Sequence, residues 1–250
     1  MQRLDIKSAL TRREAAKKPP EDKSPCSACS VRHLTVCAAL DESELAEVSA
    51  ISKTIELAAG GPLFDEGEKA SNLYNVTAGT IKIYKLLSDG RRQVTGFLFP
   101  GDFVGLANES LYAYSAEAVT VCTVCRFSRR ELEPLLDRHP KMERRLLGMA
   151  SHELAAAQEQ MLLLGRKTAK EKIASFLLSL SQRAQDRGQS GNPVTLAMSR
   201  TDIGDFLGLT TETVSRTFTH LRSAGVIVLH PGGKVEIPGI NRLREISEGL

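Results

Sequence analysis

Five cysteines are distributed unevenly along this 250-residue chain. Three stand near its start in the arrangement Cys26-x2-Cys29-x7-Cys37, and two form a second CxxC pair, Cys122 and Cys125, in the middle. Thiolates are soft ligands for metals, and clustered cysteines in an intracellular chain favour metal binding or redox chemistry over disulfides. The spacing therefore predicts a metal or thiol site that is built from two distant segments.

The two mid-chain cysteines are not equivalent. Residues 119–127 (VTVCTVCRF) have the composition of a β-strand, and side chains three apart on a strand point to opposite faces. Cys122 and Cys125 therefore cannot both face the N-terminal cysteines. A structural zinc held by the pairs Cys26/Cys29 and Cys122/Cys125 would need a tight turn in the second pair, and no turn-forming residue stands there. The zinc interpretation is weakened, and either cysteine could still join the first three.

A second chemically informative segment runs from Ser199 to Ala224. Gly208 separates two helical stretches, with Ser199 placed to cap the first, Thr201–Leu207, and Thr210 to cap the second. Six apolar residues have the spacing that holds two such helices at a steep angle: Ile203, Leu207, Leu209, Val214, Phe218 and Leu221. The pattern predicts a helix-turn-helix.

Polar residues remain on the outer side of the second helix. The first turns of a recognition helix reach base edges, where arginine can bind guanine, glutamate can accept from cytosine, and serine or threonine can contact thymine. Double-stranded DNA is therefore the predicted partner. The predicted contacts are Thr211, Glu212, Ser215 and Arg216, together with Arg200 and Thr201 at the start of the first helix.

The rest of the sequence must position the cysteines and the helix-turn-helix. A helix over 41–52 begins at the capping residue Asp41, and short β-rich runs from about 53 to 127, including one over 118–127, are separated by glycine turns. This texture predicts a compact antiparallel barrel or roll. A short helix over 130–137 follows the last run.

Residues 141–164 predict one long helix with apolar residues at seven-residue intervals. The two series are Leu147, Leu154 and Met161, and Ala150, Ala157 and Leu164. Such a stripe is typical of a helix that pairs with another long helix, so we expect a homodimer. The alternative is that the stripe packs on the core of its own domain.

The C-terminal part contains a helix over 168–187, a strand over 194–198, the helix-turn-helix, and a hairpin over 226–237 that turns at Pro231-Gly232-Gly233. Helices followed by a hairpin indicate a winged helix-turn-helix. The predicted fold class is α+β. We expect a flexible tail over 1–25, a cysteine loop and β-roll sensor domain over 26–140, a dimerisation helix over 141–164 and a DNA-binding domain over 165–250.

Composition narrows the class of protein. A hydrophobic fraction of 42% and a charged fraction of 25% are those of a globular protein, and no stretch is apolar enough to span a membrane. The first 24 residues lack the apolar core of a secretory signal, so we expect a cytoplasmic location. A net charge of +3 is too small to indicate nucleic acid by itself. Motifs of common hydrolases and nucleotide-binding enzymes are lacking, so we predict that the chain is not an enzyme.

The Glu-Thr-Val-Ser-Arg core at 212–216, the roll of short strands and the long seam helix together resemble the CRP/FNR superfamily of bacterial regulators, over roughly residues 26–245. Glu212, Ser215 and Arg216 match the Glu-x-x-Ser-Arg set of the FNR branch, which reads TTGAT half-sites. Relatives of the CRP type carry an arginine where this chain has Thr211. The resemblance implies that a homodimer binds a palindrome like TTGAT-N4-ATCAA.

The same resemblance implies a sensor. Cys26, Cys29 and Cys37 with one distant cysteine resemble the ligands of a [4Fe-4S] cluster in FNR-type oxygen sensors, and by family position Cys125 is the fourth ligand. Cys122 is then a small buried hydrophobe. The implied regulator binds DNA under anaerobic or microaerobic conditions. A regulator of the same fold with a zinc, thiol-redox or haem sensor is the alternative.

Two further expectations follow from the family. Its cAMP-binding members hold the cyclic phosphate with a Gly-Glu and an Arg-Ser pair, whereas here Gly105 precedes Leu106 and Tyr114 precedes Ser115. Cyclic-nucleotide binding is therefore not expected, because the phosphate would lack its guanidinium partner. The charged turn over 88–92 is either a plain solvated hairpin or a surface that contacts RNA polymerase. Ala157 stands where some FNR-type sensors carry a carboxylate that opposes dimerisation.

Overall fold

The computed structural model describes residues 26–106 and 110–250, so the predicted flexible tail over 1–25 lies outside the described residues. A loop of tight turns carries the three early cysteines and ends in a 3-10 turn over Val36–Ala39. Helix α1 (Glu42–Ile51) begins at Asp41, whose carboxylate accepts hydrogen bonds from the first turn of the helix. The predicted helix and its cap are confirmed.

Eight strands form the roll. They make two four-stranded antiparallel sheets, in the orders β1-β8-β3-β6 and β2-β7-β4-β5, and apolar side chains from both sheets fill the space between them. This confirms the predicted β-roll. The strands are β1 (Ser52–Leu57), β2 (Pro62–Phe64), β3 (Asn72–Ala78), β4 (Ile81–Leu86), β5 (Arg92–Leu98), β6 (Phe103–Val104), β7 (Ser115–Ala118) and β8 (Cys122–Ser128).

The expectation of one continuous strand over 118–127 is wrong. Strand β7 ends at Ala118 in one sheet, and β8 begins at Cys122 in the other. The chain changes sheets at 119–121, where the Val119 N–H donates to the Thr80 carbonyl at 2.8 Å and the Thr80 N–H donates to Thr120 Oγ1 at 3.0 Å. A threonine hydroxyl here replaces the glycine or proline that would mark such a bend in the sequence.

Two helices follow the roll, α2 (Arg129–Arg138) and α3 (Pro140–Arg166). A second apolar core joins them to the cysteine loop and to α1, and it includes Cys37, Leu45 and Met142. The start of the long helix is thereby fixed to the segment that carries the early cysteines. In the part of the chain that the structure describes, every helix is too short or too polar to cross a membrane.

The C-terminal elements form the predicted winged helix-turn-helix. Strands β9, β10 and β11 make a small antiparallel sheet whose hairpin turns at 231–233, and β9 is shorter than the predicted 194–198. The closing helix, α7, has no counterpart among the predicted elements. The elements are α4 (Ala169–Asp186), β9 (Val194–Thr195), α5 (Arg200–Leu207), α6 (Thr211–Ser223), β10 (Val228–His230), β11 (Lys234–Glu236) and α7 (Ile240–Glu248).

Candidate functional site

A cavity of about 300 Å³ lies between the cysteine loop and the sheet that contains β8. Four of the five cysteines line it: Cys26, Cys29, Cys37 and Cys125. Cys26 and Cys37 are buried, whereas Cys29 and Cys125 are half-buried. The structure thus brings together the four residues that sequence analysis assigned to one site, although the early three and Cys125 come from separate segments. We call this space the cysteine cavity.

The fifth cysteine faces away from the cysteine cavity. Cys122 is fully buried in the roll interior, where its thiol donates to the Thr80 carbonyl at 3.1 Å. Cys125 lies three residues further along β8 and points to the opposite side of the sheet, toward the core of the cysteine loop. The predicted division of this pair between two faces is confirmed.

Burial in the cysteine cavity disfavours the charged, deprotonated form of the thiols. Burial raises the pKa of the Cys37 thiol to about 11, against a hydrogen bond with Thr35 and with a further increase from the Cys26 thiol. Burial likewise raises the pKa of Cys125 to about 12, opposed by a hydrogen bond with Ser52. These thiols stay protonated at neutral pH unless a cation displaces their protons, as metal ligation requires.

The donor set of the cysteine cavity is one that iron-sulfur clusters and structural zinc ions both use. The cavity is lined by four thiols and by no imidazole or carboxylate. Within residues 26–106 and 110–250, no three potential ligand side chains stand close enough to hold one metal ion. A [4Fe-4S] cluster takes four thiolates and places its own iron and sulfur atoms between them, so its ligands can stand further apart.

One residue that sequence analysis missed ties the cysteine loop to the long helix. Arg145 of α3 donates hydrogen bonds to three consecutive loop carbonyls, those of His33, Leu34 and Thr35, at 2.5–3.0 Å. Each bond joins a charged donor to a backbone acceptor, which is stronger than a neutral pair. Nothing in the local pattern of the helix marks this arginine, because its partners lie more than a hundred residues away.

The residues of the predicted dimerisation stripe on α3 differ in how exposed they are. Leu147, Leu154 and Met161 are 66%, 62% and 70% exposed, so the alternative that they pack on their own domain does not hold for this series. Ala157 is also exposed. In contrast, Ala150 is half-buried beside a second cavity, and Leu164 packs against the core of the DNA-binding domain. Self-association through this stripe stays a prediction.

The helix-turn-helix has the predicted caps and turn. Ser199 accepts a hydrogen bond from the Asp202 N–H, and Thr210 accepts one from the Thr213 N–H. Gly208 ends α5 in the left-handed region, at φ 62° and ψ 43°, where glycine is favoured. A Cβ atom on Gly204 would lie 2.6 Å from the Leu209 carbonyl oxygen, so the turn that follows α5 passes too close to Gly204 to leave room for a side chain.

The predicted base-reading residues are accessible. Glu212, Ser215 and Arg216 are exposed on α6, and Thr211 is half-buried. Hydrogen bonds at the start of the helix and the charge of Arg216 hold the pKa of Glu212 below its usual value, so its carboxylate is ready to accept from a base.

The two predicted contacts on α5 are placed differently from each other. Thr201 is exposed, with its hydroxyl 3.4 Å from that of Thr211. The guanidinium of Arg200 lies 3.4 Å from the centre of the Phe218 ring, and one of its terminal nitrogens is buried without a partner among the described residues. Burial lowers the pKa of Arg200. DNA contacts by Arg200 and Thr201 stay predictions, as do those by the residues of α6.

Comparison with known proteins agrees with this architecture. Residues 54–139 match the family model of the cyclic nucleotide-binding domain, and residues 171–246 match the Crp-like helix-turn-helix domain. The nitrogen fixation regulation protein FixK of Bradyrhizobium diazoefficiens is 41% identical over 83% of this chain and 88% of its own length. The transcriptional activator protein FnrL of Cereibacter sphaeroides is 40% identical over 88% of this chain and 90% of its own.

The chain belongs to the CRP/FNR family of transcription regulators. Among solved structures, FixK2 from Bradyrhizobium japonicum superimposes with a TM-score of 0.73 at 36% identity, covering 78% of this chain and 97% of that one. The predicted family, fold and DNA-binding function are confirmed at this level.

This CRP/FNR-family regulator has an ionic junction between its two domains that sequence analysis missed. Asp202 of α5 binds Lys82 of β4 at 3.0 Å and Arg92 of β5 at 2.9 Å. Burial alone would raise the pKa of Asp202, but hydrogen bonds from Ser199 and Lys82 hold it below its usual value. The expectation that the whole 88–92 turn is exposed is therefore wrong for Arg92, which also pairs with Asp205 at 2.9 Å.

Four aromatic side chains pack together in the interior of the regulator's roll. The ring of Phe64 stacks on that of Tyr112 with 3.7 Å between centroids, and Tyr74 and Tyr114 pack around the same ring. Tyr114 is the residue that stands where cAMP-binding relatives would need arginine. The domain has the fold of the cyclic nucleotide-binding family, and the expectation that cyclic nucleotides are not the effector stays a prediction.

Proposed function

We propose that this CRP/FNR-family transcription regulator senses oxygen through a [4Fe-4S] cluster held by Cys26, Cys29, Cys37 and Cys125. The observation that carries the proposal is the shared cavity: four thiols from separate segments line it, while the fifth points into the roll. The FnrL protein is described as a transcriptional activator, and we extend that role to this chain. The cluster would supply the sensitivity to oxygen.

The chain's own residues would transmit the state of the cysteine cavity to DNA. The cysteine loop is bound to α3 by Arg145 and packs on the buried Met142 at the start of that helix. The far end of α3 contacts the DNA-binding domain, where Gln160 donates to the Phe206 carbonyl at 2.8 Å. A change in the loop can therefore alter the direction in which α6 is presented.

We further propose that two copies bind DNA together, through the exposed Leu147, Leu154 and Met161. Recognition helices related by a dyad read half-sites about 34–36 Å apart, which is one turn of DNA. The proposed operator is a palindrome like TTGAT-N4-ATCAA, read by Glu212, Ser215 and Arg216. Contact of the 88–91 turn with RNA polymerase is the proposed route to activation, since Asp89 and Arg91 in that turn are exposed.

Anaerobic purification tests the sensor. We expect a coloured protein with about four iron and four sulfide per protomer, whose visible absorption disappears in air. Zinc without iron, haem absorption, or a colourless metal-free protein would each overturn the cluster and point to one of the alternative sensors. The variant Cys122→Ser is the matched control and should remain coloured.

A further inference from the structure

One polar side chain of the cysteine cavity has an oxygen that no described residue pairs. Asn75, on β3, is 2% exposed, and its Oδ1 is buried without a hydrogen bond in the part of the chain that the structure describes. Buried polar groups are hydrogen-bonded in the great majority of cases, so an unpaired amide in a cavity indicates a partner that binds there. The other polar residue of β3 in this cavity is satisfied, since Thr77 donates to the Thr123 carbonyl at 2.9 Å.

The register of the sheet places this amide beside the proposed fourth ligand. Asn75 is paired directly with Cys125 across β3 and β8, and both line the cysteine cavity. Side chains of directly paired residues lie on the same face and are neighbours. A carboxamide carries both a donor and an acceptor, and rotation about its last bond exchanges them, so its N–H can be turned into the cavity.

We propose that Asn75 is a positioning residue that donates a hydrogen bond to sulfur at the Cys125 side of the cluster. This inference rests on the proposed function. With the amide rotated so that its N–H faces the cavity, a thiolate or sulfide can accept that N–H, and hydrogen bonds to sulfur are one of the means by which a protein sets the reduction potential and the stability of a cluster. Asn75 thereby contributes to how long the cluster lasts in air.

The first arm of the test uses the cluster-loaded protein in three variants. Asn75→Leu keeps the size of the side chain but removes the donor, and Asn75→Asp replaces the donor by a negative charge beside the thiolates. Thr77→Val is the matched control in the same cavity. We expect Asn75→Leu to lose its visible absorption in air about tenfold faster than wild type, Asn75→Asp to retain little cluster, and Thr77→Val to behave as wild type.

The second arm uses the metal-free full-length protein and measures its thermal unfolding. An unpaired buried amide is unfavourable, so Asn75→Leu should unfold at a higher temperature than wild type, whereas Thr77→Val, which loses a hydrogen bond, should unfold at a lower one. If Asn75 had a purely structural role, Asn75→Leu would not both raise the unfolding temperature of the metal-free protein and shorten the lifetime of the cluster. Should Asn75→Leu fail to fold, Asn75→Ser, which keeps a shorter donor, takes its place and should lose the cluster more slowly than Asn75→Asp.

Three results would overturn the inference. They are a cluster lifetime in Asn75→Leu equal to that of wild type, equal acceleration of cluster loss in Thr77→Val, and an unfolding temperature below that of wild type for an Asn75→Leu protein that folds without the metal. Failure of the proposed function is distinguishable, because the wild type would then hold no cluster at all.

Discussion

The helix-turn-helix and the cysteine cavity obtain their contacts in opposite ways. Ser199, Gly208 and Thr210 complete the caps and the turn of α5 and α6 within a single short segment. The cysteine cavity is assembled from the N-terminal loop and from β1, β3 and β8, and it contains thiols of raised pKa and an unpaired amide. The caps and the turn of the helix-turn-helix are therefore local, whereas the cysteine cavity depends on distant segments and on what binds there, so regulation can change the position of α6 and leave its DNA-facing surface intact.

The largest expected effect separates the two cysteines of β8. Cys125→Ser should abolish cluster binding, because serine is a poor ligand for iron in a [4Fe-4S] cluster, yet the helix-turn-helix should stay folded. Cys122→Ser should keep the cluster and lose only about 1 kcal/mol of stability, since a hydroxyl can still donate to Thr80. Iron analysis and thermal unfolding of both variants measure this. Iron retained by Cys125→Ser, or lost from Cys122→Ser, would reverse the assignment.

Replacement of Gly204 should impair DNA binding and leave the cluster intact. In Gly204→Ala the new methyl group would meet the Leu209 carbonyl, which costs about 1–3 kcal/mol and displaces the turn that joins α5 to α6. Operator affinity should fall more than about tenfold, with the cluster spectrum unchanged. Gly148→Ala in α3 is the control: its methyl meets nothing within 4 Å and should slightly stabilise the helix. Normal DNA binding by Gly204→Ala would show that the turn after α5 can accommodate the methyl group.

The seam helix connects the two regions, and Ala157→Asp tests it. Two like charges facing each other across a dimer seam repel, so the dimer should dissociate about five- to tenfold more readily, and the oxygen response should become steeper. Ala155→Asp introduces the same charge on the outward side of α3 and should leave the dimer intact. Sedimentation velocity measures how readily the dimer dissociates in each of the two variants. Equal sedimentation of Ala157→Asp and wild type would remove this stripe as the dimer contact.

A smaller effect is expected at Arg145. Arg145→Gln removes charge-assisted bonds to three loop carbonyls, so the cysteine loop should be held less firmly, and the cluster should be lost in air about two- to threefold faster. The neighbouring exposed Arg144, changed to glutamine, serves as the control for charge. The cluster lifetime is measured by the decay of visible absorption. An unchanged lifetime in Arg145→Gln would mean that the bonds from α3 to the cysteine loop do not stabilise the cluster.

What could be predicted from sequence follows the same division. The prediction of the helix-turn-helix is correct down to the capping residues, because the caps, the turn glycine and the apolar spacing all lie within one short segment. The opposite orientation of Cys122 and Cys125 followed from strand periodicity alone. The strand break at 119–121, the bonds of Arg145 and the Lys82–Asp202–Arg92 junction depend on partners from distant segments, and no local pattern marks them. The cluster and the dimer stay predictions.

The central claim is that the cysteine cavity controls the helix-turn-helix, and operator binding by a single anaerobic preparation tests it most directly. Binding to a TTGAT-N4-ATCAA duplex is measured by fluorescence anisotropy before and after exposure to air, at fixed salt, with Cys125→Ser alongside. The account predicts tight anaerobic binding by wild type that falls at least about tenfold in air, and weak binding by Cys125→Ser under both conditions. Equal affinity of the wild type with and without air would contradict it.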